Sequence, residues 1–351
     1  MSSPIKLAIV GCGAITDVGH LPAALQSGAV IVTALVDTQV DNARALARKY
    51  SLQGCTIAND LNAVLRRVDG VLIATPNHTH FTLAQIALSH GVPVLVEKPF
   101  TTSYGDAIAL CDLAEERNTF ISVGYMTRHY PSVRLLKQFL QTGYLGKVKS
   151  FSYLYGFRGG WEPVSGYNLD VRRAGGGILT VQGTHFIDRM LYLFGHPESF
   201  KYSDDNYGGV EANCRAKLCF NNESGSFEGS FFISKTRLLA NRLTLQTELY
   251  ICILEEFKTE TLRLFPRNRP DLALDVFPRG SKPDDLPPSY FQVQLEEFAS
   301  VIRNGGQPTV EGRSAAQSVK LIEEMYRYRT QMEEPWLTYR SKLPASHTLH
   351  V

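Results

Sequence analysis

Ile5-Lys6-Leu7-Ala8-Ile9-Val10-Gly11-Cys12-Gly13-Ala14-Ile15-Thr16 is a short apolar run, a pair of glycines one residue apart, and the start of a helical pattern. A strand that breaks on such a turn directly into a helix is the entry to a doubly wound parallel sheet. The first glycine permits the tight turn, and the second lets backbone approach a bound pyrophosphate, which then faces the helix N-terminus. Thr16 departs from the stricter Gly or Ala at the third position. By itself G-x-G-x-x-T also fits a plain glycine turn. Asp37 stands 21 residues beyond Thr16, at the end of a second strand pattern, where an acid meets the adenosine ribose. It also reads as an ordinary turn residue. Together these positions predict that Gly11, Gly13, Ala14, Ile15, Thr16 and Asp37 bind a dinucleotide. A carboxylate at position 37 would repel a 2′-phosphate, so NAD is expected in preference to NADP.

Outward from this turn, strand patterns at 5–10, 30–36, 70–74, 93–96 and 119–123 alternate with helical patterns at 22–26, 39–50, 61–67, 81–89 and 104–117. Such alternation predicts βαβ units and a parallel sheet covered on both faces. After Gly124 the pattern changes: a helix at 132–141, a strand at 147–155, a loop rich in Gly, Arg and aromatics at 156–176, and a helix at 177–193. Four or so alternating strands are expected over 211–265, a polar surface connection over 266–288, and amphipathic helices at 291–303 and 314–331. The chain therefore divides into a Rossmann domain at 1–124 and an α+β domain with an open, mostly antiparallel sheet at 125–351.

Composition agrees with a globular protein: 351 residues, 44% hydrophobic, 20% charged, and a formal net charge of +2. Lys and Arg are dispersed, which points to neither nucleic acid nor an anionic membrane. The six cysteines form no C-x-x-C pair and read as buried small hydrophobes in a reducing compartment, with no metal site expected. The first apolar run is too short to span a membrane, and a cytoplasmic location is expected.

Two constellations carry chemistry. Val-Leu-Val-Glu-Lys-Pro at 94–99 places Glu97 and Lys98 at the carboxyl end of a parallel strand, the crevice where such sheets bind ligands. A lysine there can stabilise alkoxide character on a substrate hydroxyl, although the pair also reads as a surface ion pair. Three glycines, 175–177, precede an apolar helix on which His185 shares a face with Val181 and Asp188. A histidine suits general acid–base work, and equally a packed core position.

These residues resemble the Gfo/Idh/MocA oxidoreductases over nearly the whole chain. The resemblance rests on Gly11–Thr16 with His20-Leu21-Pro22, Ala74-Thr75-Pro76-Asn77-His78-Thr79-His80, Glu97-Lys98-Pro99, Val123-Gly124-Tyr125 with Arg128, Gly146-Lys147-Val148, and the 175–188 stretch. It implies that Lys98 and His185 face substrate beside the nicotinamide, that Thr75, Pro76, Asn77 and His80 line the cofactor together with Glu97, and that Lys98–Pro99 is a cis peptide. It further implies a homodimer or homotetramer through the second sheet, and a place for Arg128 beside the substrate. The family commonly has an aspartate four residues before the histidine, where this chain has Val181. Either Lys98 and His185 suffice, or another residue compensates; Asp188 has a structural counterpart in the family.

In the 156–173 loop, Arg158, Trp161, Tyr167 and Arg172 form a candidate sugar-binding set, each also readable as a solvated loop residue. The expected activity is hydride transfer between a nicotinamide and a secondary alcohol or ketone of a sugar, sugar nucleotide or cyclitol. Two rivals stand beside it: a glycosidase or lyase that oxidises its substrate transiently with no net redox change, and a non-catalytic NAD-binding protein, for which Val181 is the best argument.

Overall fold

A computed structural model describes residues 3–159, 166–222, 225–278 and 289–332. Its first half is a parallel sheet of six strands: β1 Ile5–Val10, β2 Val30–Val36, β3 Thr56–Ala58, β4 Gly70–Ile73, β5 Val94–Val96 and β6 Ile121–Val123, in the order β3-β2-β1-β4-β5-β6. Strands β4, β5 and β6 are buried along their whole length, because helices cover both faces and leave no solvent side to alternate toward. Those helices include α1 Leu21–Gln26, α2 Val40–Lys49, α3 His80–Ser89 and α4 Tyr104–Glu116. Order reverses between β1 and β4, so the carboxyl ends of these two strands flank the crevice of a topological switch point.

Three local expectations in this first half differ. The helical pattern at 61–67 forms two single 3-10 turns, Leu61–Ala63 and Leu65–Arg67, and the three-residue β3 carried no readable alternation. The first helix is preceded by a π-helical turn at Thr16–His20.

Among the described residues the second sheet has nine strands, ordered β14-β13-β12-β11-β7-β10-β9-β8-β15. They are β7 Val148–Gly156, β8 Ser199–Asp204, β9 Asn213–Asn222, β10 Gly225–Ser234, β11 Arg242–Thr247, β12 Tyr250–Glu255, β13 Leu262–Pro266, β14 Leu274–Val276 and β15 Thr330–Gln331. Only β7–β10 and β8–β15 pair in parallel; the other neighbours are antiparallel. One face packs on α5 Pro131–Gln141 and α7 Thr184–Phe194 through Phe151, Tyr153, Phe186, Phe220 and Phe231. The other face presents the alternate residues. A short helix, α6 Val171–Ala174, leads toward α7.

The last two helices, α8 Tyr290–Asn304 and α9 Gly312–Arg327, return to the first sheet. Leu295, Phe298 and Ala299 share a core with Ile5, Leu7 and Leu72, while Val310, Ala315 and Ala316 join Val123 and Leu110. The segment 125–351 is therefore not confined to its own core. Among the cysteines, Cys12, Cys111, Cys214 and Cys252 are buried, but Cys219 is exposed and Cys55 half-buried, so the expectation of six buried thiols holds for four. No helix among the described residues is long and apolar enough to cross a membrane, and those residues contain no cluster of three or more His, Cys, Asp or Glu suited to a metal ion.

Candidate active site

The glycine turn is built as a cradle. Gly11 has φ +93°, and a Cβ there would lie 2.4 Å from the Ala74 carbonyl oxygen, so only glycine fits between β1 and β4. A Cβ on Gly13 would meet nothing within 4 Å, which leaves open approach to the backbone at this point. Thr16 is buried, and its hydroxyl donates to the Gly11 carbonyl at 2.6 Å, closing the turn from within. Ala14 and Ile15 are exposed at the start of the following helix. Asp37, half-buried at the end of β2, accepts the Cys12 N–H at 2.9 Å and the Gln39 N–H at 2.8 Å. The open glycine backbone, the helix start and an acid at the next strand end fit a dinucleotide.

Four residues expected to line the cofactor divide. Thr75 and Pro76 follow β4 at the crevice, with the Thr75 hydroxyl 2.6 Å from that of Thr79. Asn77 is buried and donates to the Ala174 carbonyl at 2.7 Å. His80 is fully buried, its ring nitrogens each 2.9 Å from the carbonyls of Pro99 and Thr75. Both of the last two tie loops together, Asn77 through its side-chain N–H and His80 through its ring.

Glu97 and Lys98 stand after β5, and Lys98–Pro99 is cis. Glu97 accepts from the Lys98 N–H at 3.0 Å and lies 2.8 Å from His20 Nε2. Burial alone would raise its carboxyl, but His20 and the Lys98 charge overcome this and hold it down at about 2. Lys98 Nζ crosses to the second half of the molecule and donates to the Val181 carbonyl at 2.9 Å. Burial pushes the ammonium's pKa down while Glu97 opposes this.

The glycine-rich stretch 175–177 leads into a π-helical turn, Leu179–Gly183, and then α7. The expected single helix is thus widened in the turn before His185, where π turns are frequent at functional sites. His185 Nδ1 is buried without a hydrogen-bond partner. Burial and the neighbouring Lys98 hold the imidazole down at about 3; Glu97 opposes, and Arg189 adds to the lowering. His185 is therefore neutral near physiological pH, with a proton-accepting nitrogen. Its ring meets Tyr125 edge-on, centroids 6.2 Å apart.

The expected substrate residues also divide. Tyr167 is half-buried and within electrostatic reach of Glu97. Arg158 and Arg172 are exposed. Trp161 lies outside the described residues. Arg128 is buried, and its guanidinium grips both carboxylate oxygens of Asp188 at 2.6 and 2.8 Å. Ser314 takes a further Arg128 N–H at 2.8 Å, so this buried cation is paired within the protein.

Sequence reasoning passed over Lys235. It is buried just past β10, with Nζ 5.0 Å from the Phe157 ring centroid; burial lowers its pKa, and the nearby Lys98 charge adds to the lowering. The strand register that brings it there pairs Ser234 with Gly156, a relation no local pattern announces.

A lysine at a strand end, a neutral histidine beside it and an open glycine turn form the kind of site that moves a hydride and a proton together. The chain belongs to the Gfo/Idh/MocA family: residues 5–125 match its "Oxidoreductase family, NAD-binding Rossmann fold" and residues 133–250 its C-terminal domain. It is 32% identical over 202 residues to the rhizopine catabolism protein MocA of Rhizobium meliloti, covering 56% of this chain and 59% of that protein. It is 28% identical over 198 residues to the D-glucoside 3-dehydrogenase of Escherichia coli, covering 56% of each. The chain thus matches little more than half the length of these relatives. In fold it is similar to levoglucosan dehydrogenase in complex with NADH and levoglucosan, with a TM-score of 0.82, 18% identity, and coverage of 93% of this chain and 97% of that one.

Proposed function

We propose that this chain is a nicotinamide-dependent oxidoreductase acting on a secondary alcohol or ketone of a sugar, sugar nucleotide or cyclitol. The observation that carries the reading is the Lys98 ammonium, anchored on Val181 and adjacent to neutral His185. Bound nicotinamide would supply the hydride acceptor or donor. Gly11, Gly13, Ala14, Ile15, Thr16 and Asp37 would hold it, with Thr75, Pro76 and Glu97 beside it. Lys98 would donate to the reacting oxygen and stabilise its developing charge, and His185 would take or return the hydroxyl proton. Tyr167 is the loop residue best placed to meet the substrate. The names of the relatives support a sugar-like substrate, and Asp37 supports NAD over NADP.

The nine-stranded sheet is proposed as the surface of a homodimer or homotetramer; half-buried Leu154 and Phe232 lie on its face away from the helices. The unpaired thiols favour a cytoplasmic setting. The test is a panel of sugars, glycosides, sugar nucleotides and cyclitols, followed by NADH formation and by product mass. Turnover of at least one with stoichiometric NADH is expected. Glycoside cleavage without NADH, or cofactor binding with no turnover on any member, would replace this reading.

A further inference from the structure

Glu211 lies at the opening of the helix that carries His185, although it comes 26 residues later in the sequence. It is 1% exposed and stands just before β9. Its Oε2 accepts the Gly177 N–H at 2.9 Å, and its Oε1 accepts the Leu179 N–H at 3.0 Å and the Tyr326 hydroxyl at 2.7 Å. Its carbonyl accepts the Ile178 N–H at 2.9 Å. The Tyr326 hydroxyl, from α9, is also 3.0 Å from that of Thr180. Of the four consecutive residues 177–180, Gly177 and Leu179 thus answer to the Glu211 carboxylate, Ile178 to its main-chain carbonyl and Thr180 to the Tyr326 phenol. A Cβ on Gly177 would lie 2.2 Å from the Glu211 carbonyl oxygen, and one on Gly176 would lie 2.3 Å from the Tyr326 hydroxyl, so the fit is close. Two residues past Leu179 is the carbonyl that holds Lys98.

We propose that Glu211, assisted by Tyr326, is a positioning residue: it sets the pitch of the turn at 177–180 and so places the Val181 carbonyl for Lys98 and the ring of His185. The proposal rests on the reading of Lys98 and His185 given above. A buried acceptor with three donors fixes those donors, and a small displacement of a reacting group lowers turnover steeply.

The cap is also sensitive to protons. Burial raises the Glu211 carboxyl to about 7, against the pull of Tyr326 and the Leu179 N–H. Asp204 on β8 pushes it further up, and Tyr202 on β8, Tyr326 on α9 and Cys214 on β9 are the other titratable groups facing it. Arg329 lies 3.7 Å from Asp204. Ionised, the carboxylate makes charge-assisted bonds to its donors; protonated, it holds them more weakly.

The test uses the full chain as wild type, Glu211→Gln and Tyr326→Phe, each with NADH. Amide hydrogen exchange over 177–183, corrected for intrinsic rates, is followed across neutral pH. Wild-type protection is expected to fall as pH drops through about 7, to lose that step in Glu211→Gln, and to show a higher midpoint in Tyr326→Phe, because the lost hydroxyl favoured the anion. On a polyol that the panel finds, Glu211→Gln is expected to lower kcat about tenfold with the KM for cofactor changed by less than about twofold. Wild-type kcat and pH profile in Glu211→Gln would overturn the proposal. So would an unmoved exchange midpoint in Tyr326→Phe, which decides the matter if Glu211→Gln fails to fold. The exchange measurement needs no substrate, so it stands even if no polyol is oxidised.

Discussion

Lys98 gives its ammonium hydrogen bond to the main-chain oxygen of Val181, 2.9 Å away. The position where the family commonly has an aspartate thus supplies a neutral acceptor from its backbone. The lysine is held, and no negative charge is added beside His185. Burial and Lys98 then act on the imidazole without opposition from position 181, and its pKa stays at about 3.

Val181→Asp should reverse that balance. A carboxylate in the turn before His185 favours imidazolium, so the acidic limb of turnover against pH should move upward relative to wild type. The wild type should show no histidine limb near neutrality, because its folded pKa lies well below it. Turnover measured against pH for both proteins checks this, and coincident acidic limbs would detach His185 from proton transfer.

Lys98→Ala and His185→Ala should each lower turnover by about 10²–10⁴ while leaving NADH affinity largely intact. Steady-state rates paired with fluorescence titration of NADH provide the comparison. Near-normal turnover in His185→Ala across the pH range would return that residue to the core.

Gly11→Ala and Gly13→Ala should part company. The first forces a methyl to within 2.4 Å of the Ala74 oxygen at φ +93° and should lower Tm. The second meets no protein atom within 4 Å, so Tm should hold while NADH binding weakens. Thermal melts with and without NADH distinguish them; unchanged affinity in Gly13→Ala would place the cofactor elsewhere.

Asp37→Ala should weaken NAD binding by about ten- to a hundredfold, the range for losing a hydrogen bond to a charged group. It should also narrow the preference for NAD over NADP. Arg44, the nearby cation that would attract a 2′-phosphate, is paired with Asp41 at 3.1 Å on the surface. Calorimetric titration with both cofactors measures this, and equal affinities in the wild type would sink the assignment.

Asp188→Ala should destabilise the fold by about 3–5 kcal/mol, since it strands a buried guanidinium. Arg128 is 4% exposed and Asp188 fully buried. Denaturant unfolding reads this directly; a loss under about 1 kcal/mol would show that Arg128 finds another partner or reaches water.

What the sequence determined by itself was local. Strand, glycine turn and helix succeed one another within a dozen residues, so their periodicity and the steric demand at Gly11 were legible without any long-range contact. Lys98 could be read for the same reason, because the end of a parallel strand is a place that sequence order defines. The tertiary structure decided which of the marked polar residues remained available. Asn77, His80 and Arg128 look like ligand-binding residues in sequence; in the fold Asn77 holds the Ala174 carbonyl 97 residues away, Arg128 holds Asp188 60 residues away, and the His80 ring lies between the carbonyls of Pro99 and Thr75. The cap that Glu211 and Tyr326 place on the His185 turn, and the return of α8 and α9 to the first core, likewise join segments that share no period. Hydrogen bonds and packing of that range are set by how two sheets meet, and a one-dimensional pattern carries no record of the distance between its distant members.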